Sequence, residues 1–243
     1  MALIDNLIAY WKLDETSGTR VDAHSNGLDL TDNNTVGSGT GVISNAADFD
    51  SASSEYLSHA DDALFDVSTT ATWSFWANAD STGSNIVVAG KMTFNSDNSW
   101  AIEHQSDGLH VRIATSASDI STEGVGTGLT AGVWAHYMVV FDGGGATNAD
   151  KLKVWKNGSA LTLSFSGTMP SSIRNSASDF IIGQWSGLGR YWNGLIDEFG
   201  FWSDAKTGAD ATSLYNGGAG LAYPFTGGAT IFPTSQLLLG AGG

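Results

Sequence analysis

Cysteine is absent from all 243 residues, which removes disulfides, thiolate metal sites and dithiol redox chemistry together. Basic residues are scarce, with 10 Lys and Arg against 25 Asp and Glu, and the formal net charge is −15. No Lys/Arg cluster relieves that balance, so a nucleic-acid backbone would be repelled and is excluded as a partner. No stretch approaches the roughly 20 consecutive apolar residues of a membrane span, so membrane insertion is excluded too. Proline occurs only three times, and helical periodicity is nearly missing. The N-terminal MALIDNLIAYW has no basic region ahead of its short apolar run and does not read as an export signal.

What the chain has instead is glycine (31 residues), aromatics (11%) and a hydrophobic content of 42%. Ser, Thr, Asn and Asp fill much of the remainder. That composition belongs to many short strands joined by tight turns, and 243 residues fit one β-sandwich domain. Strands are predicted at residues 7–13, 28–31, 47–50, 55–58, 71–77, 86–91, 99–104, 109–113, 133–141, 152–156, 161–165, 180–183 and 195–202. Asp32 to Gly41 reads as a polar loop. Asn157-Gly158 is the strongest hairpin signal, and 161–165 is expected to pair back across it. Thr207 to Tyr215 is the one convincing helix, ending at Asn216-Gly217-Gly218. The predicted fold is all-β: an antiparallel two-sheet jelly-roll sandwich with one short helix near the C-terminus. It is placed at residues 1–224. Residues 225–243, Gly-rich with a Leu237-Leu238-Leu239 knot, form a tail expected to serve assembly or docking.

The stretch Gly189 to Trp202 (GRYWNGLIDEFGFW) is the most informative. A strand sends successive side chains to opposite faces, so this run puts apolar groups on both faces and one carboxylate on each. Asp197 and Glu198 then point apart and do not act on one bond.

Several stretches in order resemble the laminin-G-like branch of the concanavalin A-like lectin/glucanase superfamily. They are AYWKLDETSGT, DAHSNGLDLT, NAADFD, TWSFWA, GVWAHYMVVFDG, LKVWKNGSAL, FIIGQW, NGLIDEFGFW and ATSLYNGG. The resemblance implies a jelly roll of two curved sheets. The hydrolytic members carry a Glu-x-Asp-x-x-Glu strand, and retaining chemistry needs two carboxyls about 5 Å apart. None of Glu15, Glu55, Glu103, Glu123 or Glu198 has that spacing, so a non-enzymatic protein is expected. His136, within WAHYMVVF, reads as a packed group rather than a base.

The resemblance also implies a structural Ca²⁺, with Asp22 and Asp197 as ligands and carbonyls of the Asn26-Gly27 turn beside them. The alternative is that Asp22 caps a turn and Asp197 accepts from backbone amides. A sugar site needs exposed aromatic faces beside polar groups. Trp185, Arg190, Tyr191 and Trp192 lie on or beside one Gly-rich loop, and Trp100 begins a strand; these are the candidate ligand contacts. A lectin-like chain without a leader suits a virion surface protein folded in a host cytoplasm, as similar domains do in tailed-phage structural proteins. Its expected partners are other virion proteins or its own copies, and surface glycans. The alternative is a secreted or cell-surface carbohydrate-binding module.

Overall fold

A computed structural model describes residues 2–83, 85–119 and 121–225. In chain order its strands are β1 (Leu7–Trp11), β2 (Thr31–Asn33), β3 (Gly37–Thr40), β4 (Asn45–Phe49), β5 (Tyr56–His59) and β6 (Thr70–Ala79). They continue as β7 (Ile86–Thr93), β8 (Asp97–Gln105), β9 (Gly108–Ile113), β10 (Glu123–Gly126), β11 (Ala135–Asp142) and β12 (Leu152–Lys156). Last come β13 (Ser159–Ala160), β14 (Ser164–Ser166), β15 (Phe180–Ile182), β16 (Gln184–Trp185), β17 (Arg190–Tyr191) and β18 (Gly194–Trp202). The helices are α1 (Asn148–Lys151), a single turn, and α2 (Gly208–Tyr215).

The strands form the expected two-sheet antiparallel sandwich. One sheet runs β13-β12-β11-β6-β18-β4-β3, with β1 on β18; the other runs β14-β10-β9-β8-β7-β15-β5-β2. Alternation does the sorting. Trp73, Phe75 and Ala77 of β6 face the core, and Thr72, Ser74 and Trp76 face the opposite way. Leu109, Val111 and Ile113 of β9 line the same core from the other sheet. Aromatic rings fill the middle: Trp73 stacks on Phe201 (5.6 Å between centroids) and Phe75 on Phe199 (5.7 Å). Each such side chain, fully buried, contributes about 1.5–3 kcal/mol.

A second apolar layer covers the outer face of the β6/β18 sheet. Leu7, Tyr10, Met138, Val140 and Trp202 meet Ala211 and Leu214 of α2, with Tyr223 and Phe225 packed on top. Phe225, the last described residue, stacks on Trp202 with centroids 6.2 Å apart. The Leu237–Leu239 knot lies outside the described residues.

Three local expectations are corrected. Asp32 to Gly41 carries two strands, β2 and β3, because β4 and β5 offer backbone partners that outweigh its polar composition. Residues 28–30 form no strand; only Leu30 bridges, to Arg20. The 161–165 run returns on β12 only through Leu161 N, which donates to the Val154 carbonyl at 2.8 Å. Asn157 and Gly158, at φ +52° and +74°, make the tight turn, but only Ser159 and Ala160 pair back. Ser164–Ser166 instead joins β10 in the opposite sheet.

Candidate functional site

β18 is wedged between β6, β4 and β1, and one irregularity governs its acidic pair. The register slips between Asp197 and Gly200, and Glu198 sits at φ +51°. This bulge absorbs one residue, so Ile196 and Phe199 both face the core. Asp197 and Glu198 consequently lie on the same outer face, not on opposite faces as plain alternation predicts. Asp197 is opposite Trp76, and Glu198 Oε2 accepts from the Tyr10 hydroxyl at 2.5 Å. Burial pushes Asp197 up to about 7 and Glu198 up to about 8, with Asp14 adding like charge to both. At 0% and 4% exposure the pair is closed to a polymer substrate.

The expected calcium ligands do not come together as one set. Asp22 Oδ1 accepts from the amides of Tyr10 (3.0 Å) and His24 (2.9 Å), and its Oδ2 from Leu28 (3.1 Å). Asn26 turns its Nδ2 to the Ile8 carbonyl at 2.7 Å, and neighbouring Gly27 shapes this turn at φ +71°. Asp22, Asn26 and Gly27 thus build a turn that holds β1. Asp197 lies with a different segment, its Oδ2 accepting from Val42 (2.7 Å) and Ile43 (3.1 Å). Among the described residues no group of three or more His, Asp or Glu is arranged to hold a metal. On this acidic pair, Asp197 Oδ1 and Glu198 Oε1 are buried without a hydrogen-bond partner among the described residues. They are hard donors suited to calcium, which would draw its remaining ligands from backbone carbonyls.

The aromatic candidates divide sharply. Trp100 (1% exposed) and Trp192 (0%) are core residues, Trp100 lying 4.4 Å from Trp73. Trp185 (2%) is buried against Val87, Met92 and Ala101 on the outer face of the β7/β8 sheet. None of the three offers a free ring face for a sugar, because each indole has more apolar surface to lose to the interior than a loop can leave in water. Arg190 and Tyr191 stay half-exposed on the β16–β17 hairpin. Arg190 lies 5.4 Å over the Trp185 ring and donates to Glu103 at 3.1 Å; Tyr191 accepts from Gln184 Nε2 at 3.1 Å.

Arg190 and Tyr191 form one wall of a cleft of about 300 Å³, with Ser51, Ser81 and Asn85 around it. Asn193 belongs to this cleft and also to its neighbour of about 450 Å³, whose lining includes Asp48, Asp50, Glu55 and Asp80. Asn193 is fixed on both sides: its Oδ1 accepts from Ser51 N, and its Nδ2 donates to Asp80, each at 3.1 Å. Burial, then Asp80 and Asp50, raises Asp48; burial also raises Glu55, whereas the Ala52 amide lowers Asp50. These acids come from three stretches of the chain: Asp48 with Asp50, Glu55, and Asp80. The only local signal is NAADFD, where Asp48 and Asp50 stand two apart, as same-face residues of a strand do.

One further pair has catalytic chemistry but no access. His136 Nε2 meets Ser74 Oγ at 2.8 Å, yet both are buried, and burial pushes His136 down to about 3.

Residues 50–212 match the family model of the concanavalin A-like lectin/glucanases superfamily, and the chain belongs to that superfamily. No curated protein matches it. Among solved structures it is similar to the binding domain of Paraclostridial Mosquitocidal Protein 1 (TM-score 0.67, 17% identity), covering 87% of this chain and 52% of that one. It is similar to domain 4 of AbnA, a GH43 extracellular arabinanase from Geobacillus stearothermophilus solved with arabinotriose (TM-score 0.64, 20% identity; 85% and 97% covered). The botulinum neurotoxin serotype G binding domain aligns likewise (TM-score 0.62, 12% identity; 86% and 50%). The chain spans about half the length of the two toxin domains. Among the described residues no helix is long and apolar enough to cross a membrane.

Proposed function

We propose that the chain is a non-catalytic carbohydrate-binding module, which seats its glycan in the joined cleft centred on Asn193. The observation that carries this reading is the cleft's lining. A half-exposed tyrosine ring supplies a stacking face, and Ser51, Asn85 and the carboxylates of Asp48 and Asp80 supply donors and acceptors for hydroxyls. A neutral or amino sugar suits this acidic wall better than a uronic acid. The AbnA domain makes arabinotriose a reasonable first probe, followed by a glycan array. Tyr191→Ala and Asp48→Asn should each weaken binding about tenfold or more, with the melt unchanged. Binding unaffected by both variants would move the site elsewhere, and an array with no binder would overturn the function.

Calcium is proposed as a structural ligand at Asp197 Oδ1 and Glu198 Oε1, in support of β18 rather than of the glycan. Display of the module on a virion surface is proposed on the sequence resemblance alone. Co-sedimentation of the protein with intact particles tests it.

A further inference from the structure

β12 turns a tryptophan outward. Alternation along the strand sends Leu152 and Val154 into the core and leaves Lys153 and Trp155 on the outer face. Seven of the nine tryptophans are buried, but Trp155 is only half-buried. Its Nε1 has no hydrogen-bond partner, and no aromatic ring stacks on it, among the described residues. An indole left partly wet, with a free donor at its tip, is equipped for contact rather than for core packing.

Trp155 forms one wall of a groove of about 360 Å³ between β12 and the start of α2. Gly208, the first residue of α2, comes close to the indole. A Cβ there would lie 3.0 Å from Trp155 Nε1, so a larger residue would crowd the ring. Val140 and Ala205 supply apolar surface, and Asp142, Lys153 and Thr207 the polar rim. Lys206 also lines the groove, but its Nζ is held by the Asp5 carbonyl at 2.7 Å and by Asp204 at 3.0 Å. Thr207 Oγ1 is engaged in capping α2 through Asp210. Two charged groups stay available. Asp142 engages only its Oδ1, which accepts from Gly144 N at 3.0 Å. Lys153 is exposed and attracts Asp150 from a distance, but makes no ion pair or hydrogen bond among the described residues.

We propose that this groove is a second glycan-binding site, for a neutral pyranose residue stacked on Trp155. The indole offers a flat apolar surface to the C–H face of the sugar, and Nε1 offers a donor. Lys153 donates and Asp142 accepts, so two hydroxyls of one ring satisfy both. A uronic acid would be repelled by Asp142, and an amino sugar by Lys153. The Asn193 cleft differs in this respect, since its larger half carries carboxylates and no cation.

The two sites lie towards opposite ends of β6. Val140 at the groove pairs with Thr72, and Asp80 at the cleft follows Ala79. Eight residues of extended strand separate Thr72 from Asp80, a span of about 26 Å. The chain is therefore bivalent, and a polymer or a glycan-coated surface that engages both sites is held more tightly than by either alone. The groove shares with the Asn193 cleft the reading of the chain as a glycan binder, but neither site needs the other.

The indole N–H resonance of Trp155 in the isotope-labelled full chain, identified by its loss in Trp155→Phe, tests this. Arabinotriose, cellotriose and mannotriose are the probes. At least one should shift that resonance, and should do so equally in Tyr191→Ala, which disables only the cleft. Lys153→Ala and Asp142→Asn should each weaken that binding about tenfold. Trimers of glucuronic acid and of glucosamine should bind there more weakly than the neutral probe. A Trp155 resonance that no probe moves overturns the proposal, whether or not the cleft binds. So does a shift that both rim variants leave unchanged, and so does one lost in Tyr191→Ala, which would belong to the cleft. Tighter binding of a charged trimer overturns the neutral ligand class.

Discussion

Glu103 and Arg190 meet at 3.1 Å although 87 positions separate them in the chain. Glu103 has no exposure at all, and it also accepts from Arg112 Nε at 2.5 Å and from Gln105 at 2.8 Å. Arg112 continues to Glu123, Glu123 to His110, and His110 to Asp107. The hairpin that forms the cleft wall is thus tied to β8, β9 and β10 by a chain of ion pairs and hydrogen bonds. Removing one partner of a buried ion pair costs about 3–5 kcal/mol. Glu103→Gln should therefore lower the melting temperature by about 10 °C and weaken glycan binding with it. An unchanged melt would show that the hairpin is held by Trp185 packing alone.

The Tyr10–Glu198–Asp197 group sets a pH dependence. Both carboxyls titrate in the folded chain at about 7 and 8, above their usual range. Between that usual range and about pH 8 the native state holds more protons than the unfolded chain, so stability falls as pH rises. In chelator, the melting temperature should drop by several degrees from pH 5 to pH 8.5, and Glu198→Gln should flatten the slope. A rise across that window would contradict the assignment.

The proposed calcium would act on the same oxygens with the opposite sign. Added to the wild-type chain near pH 8, it should raise the melting temperature by mass action, and chelator should reverse the gain. Asp197→Asn should abolish the response. Asp22→Ala should instead cost about 1–3 kcal/mol with or without calcium, because three amides lose their acceptor. A calcium response lost in Asp22→Ala but kept in Asp197→Asn would reverse the placement.

Truncation separates the tail from the body. A chain ending at Phe225 should melt like the full chain, to within a few degrees. One ending at Ala222 loses Tyr223, stacked 5.1 Å from Tyr10, together with Phe225, and should melt markedly lower. Equal melts for the two truncations would place the boundary at or before 222.

The long strands were legible because their pattern is strong: Trp73, Phe75 and Trp76 alternate over one run, and Leu109, Val111 and Ile113 share one face. β2 and β3 were not, since TDN and GSGT owe their strand state to neighbours distant in sequence. The aromatic site was half legible. Residue type alone does not separate Tyr191, which is half-exposed and lines the cleft, from Trp185 and Trp192, which are buried six places and one place away from it. The acidic wall was hidden for a different reason: Asp48, Glu55 and Asp80 converge only once β4 and β6 flank β18 in one sheet and the residue ahead of β5, in the other sheet, comes up beside them. Asp197 and Glu198 were misread because a two-residue period carries no mark of a bulge.

That bulge gives Glu198 an unusual standing in the chain. Strike it out, and Ile196, Asp197, Phe199, Gly200, Phe201 and Trp202 alternate without interruption, every one on the face it already occupies. The strand has no geometric use for an extra residue there; it has room for a carboxylate. A one-residue deletion, usually the most disruptive edit a central strand can suffer, should here yield a folded chain with its core intact. Measured by circular dichroism and thermal melting, the Glu198 deletion should keep the cooperative transition, while the pH slope and the calcium response disappear with the side chain.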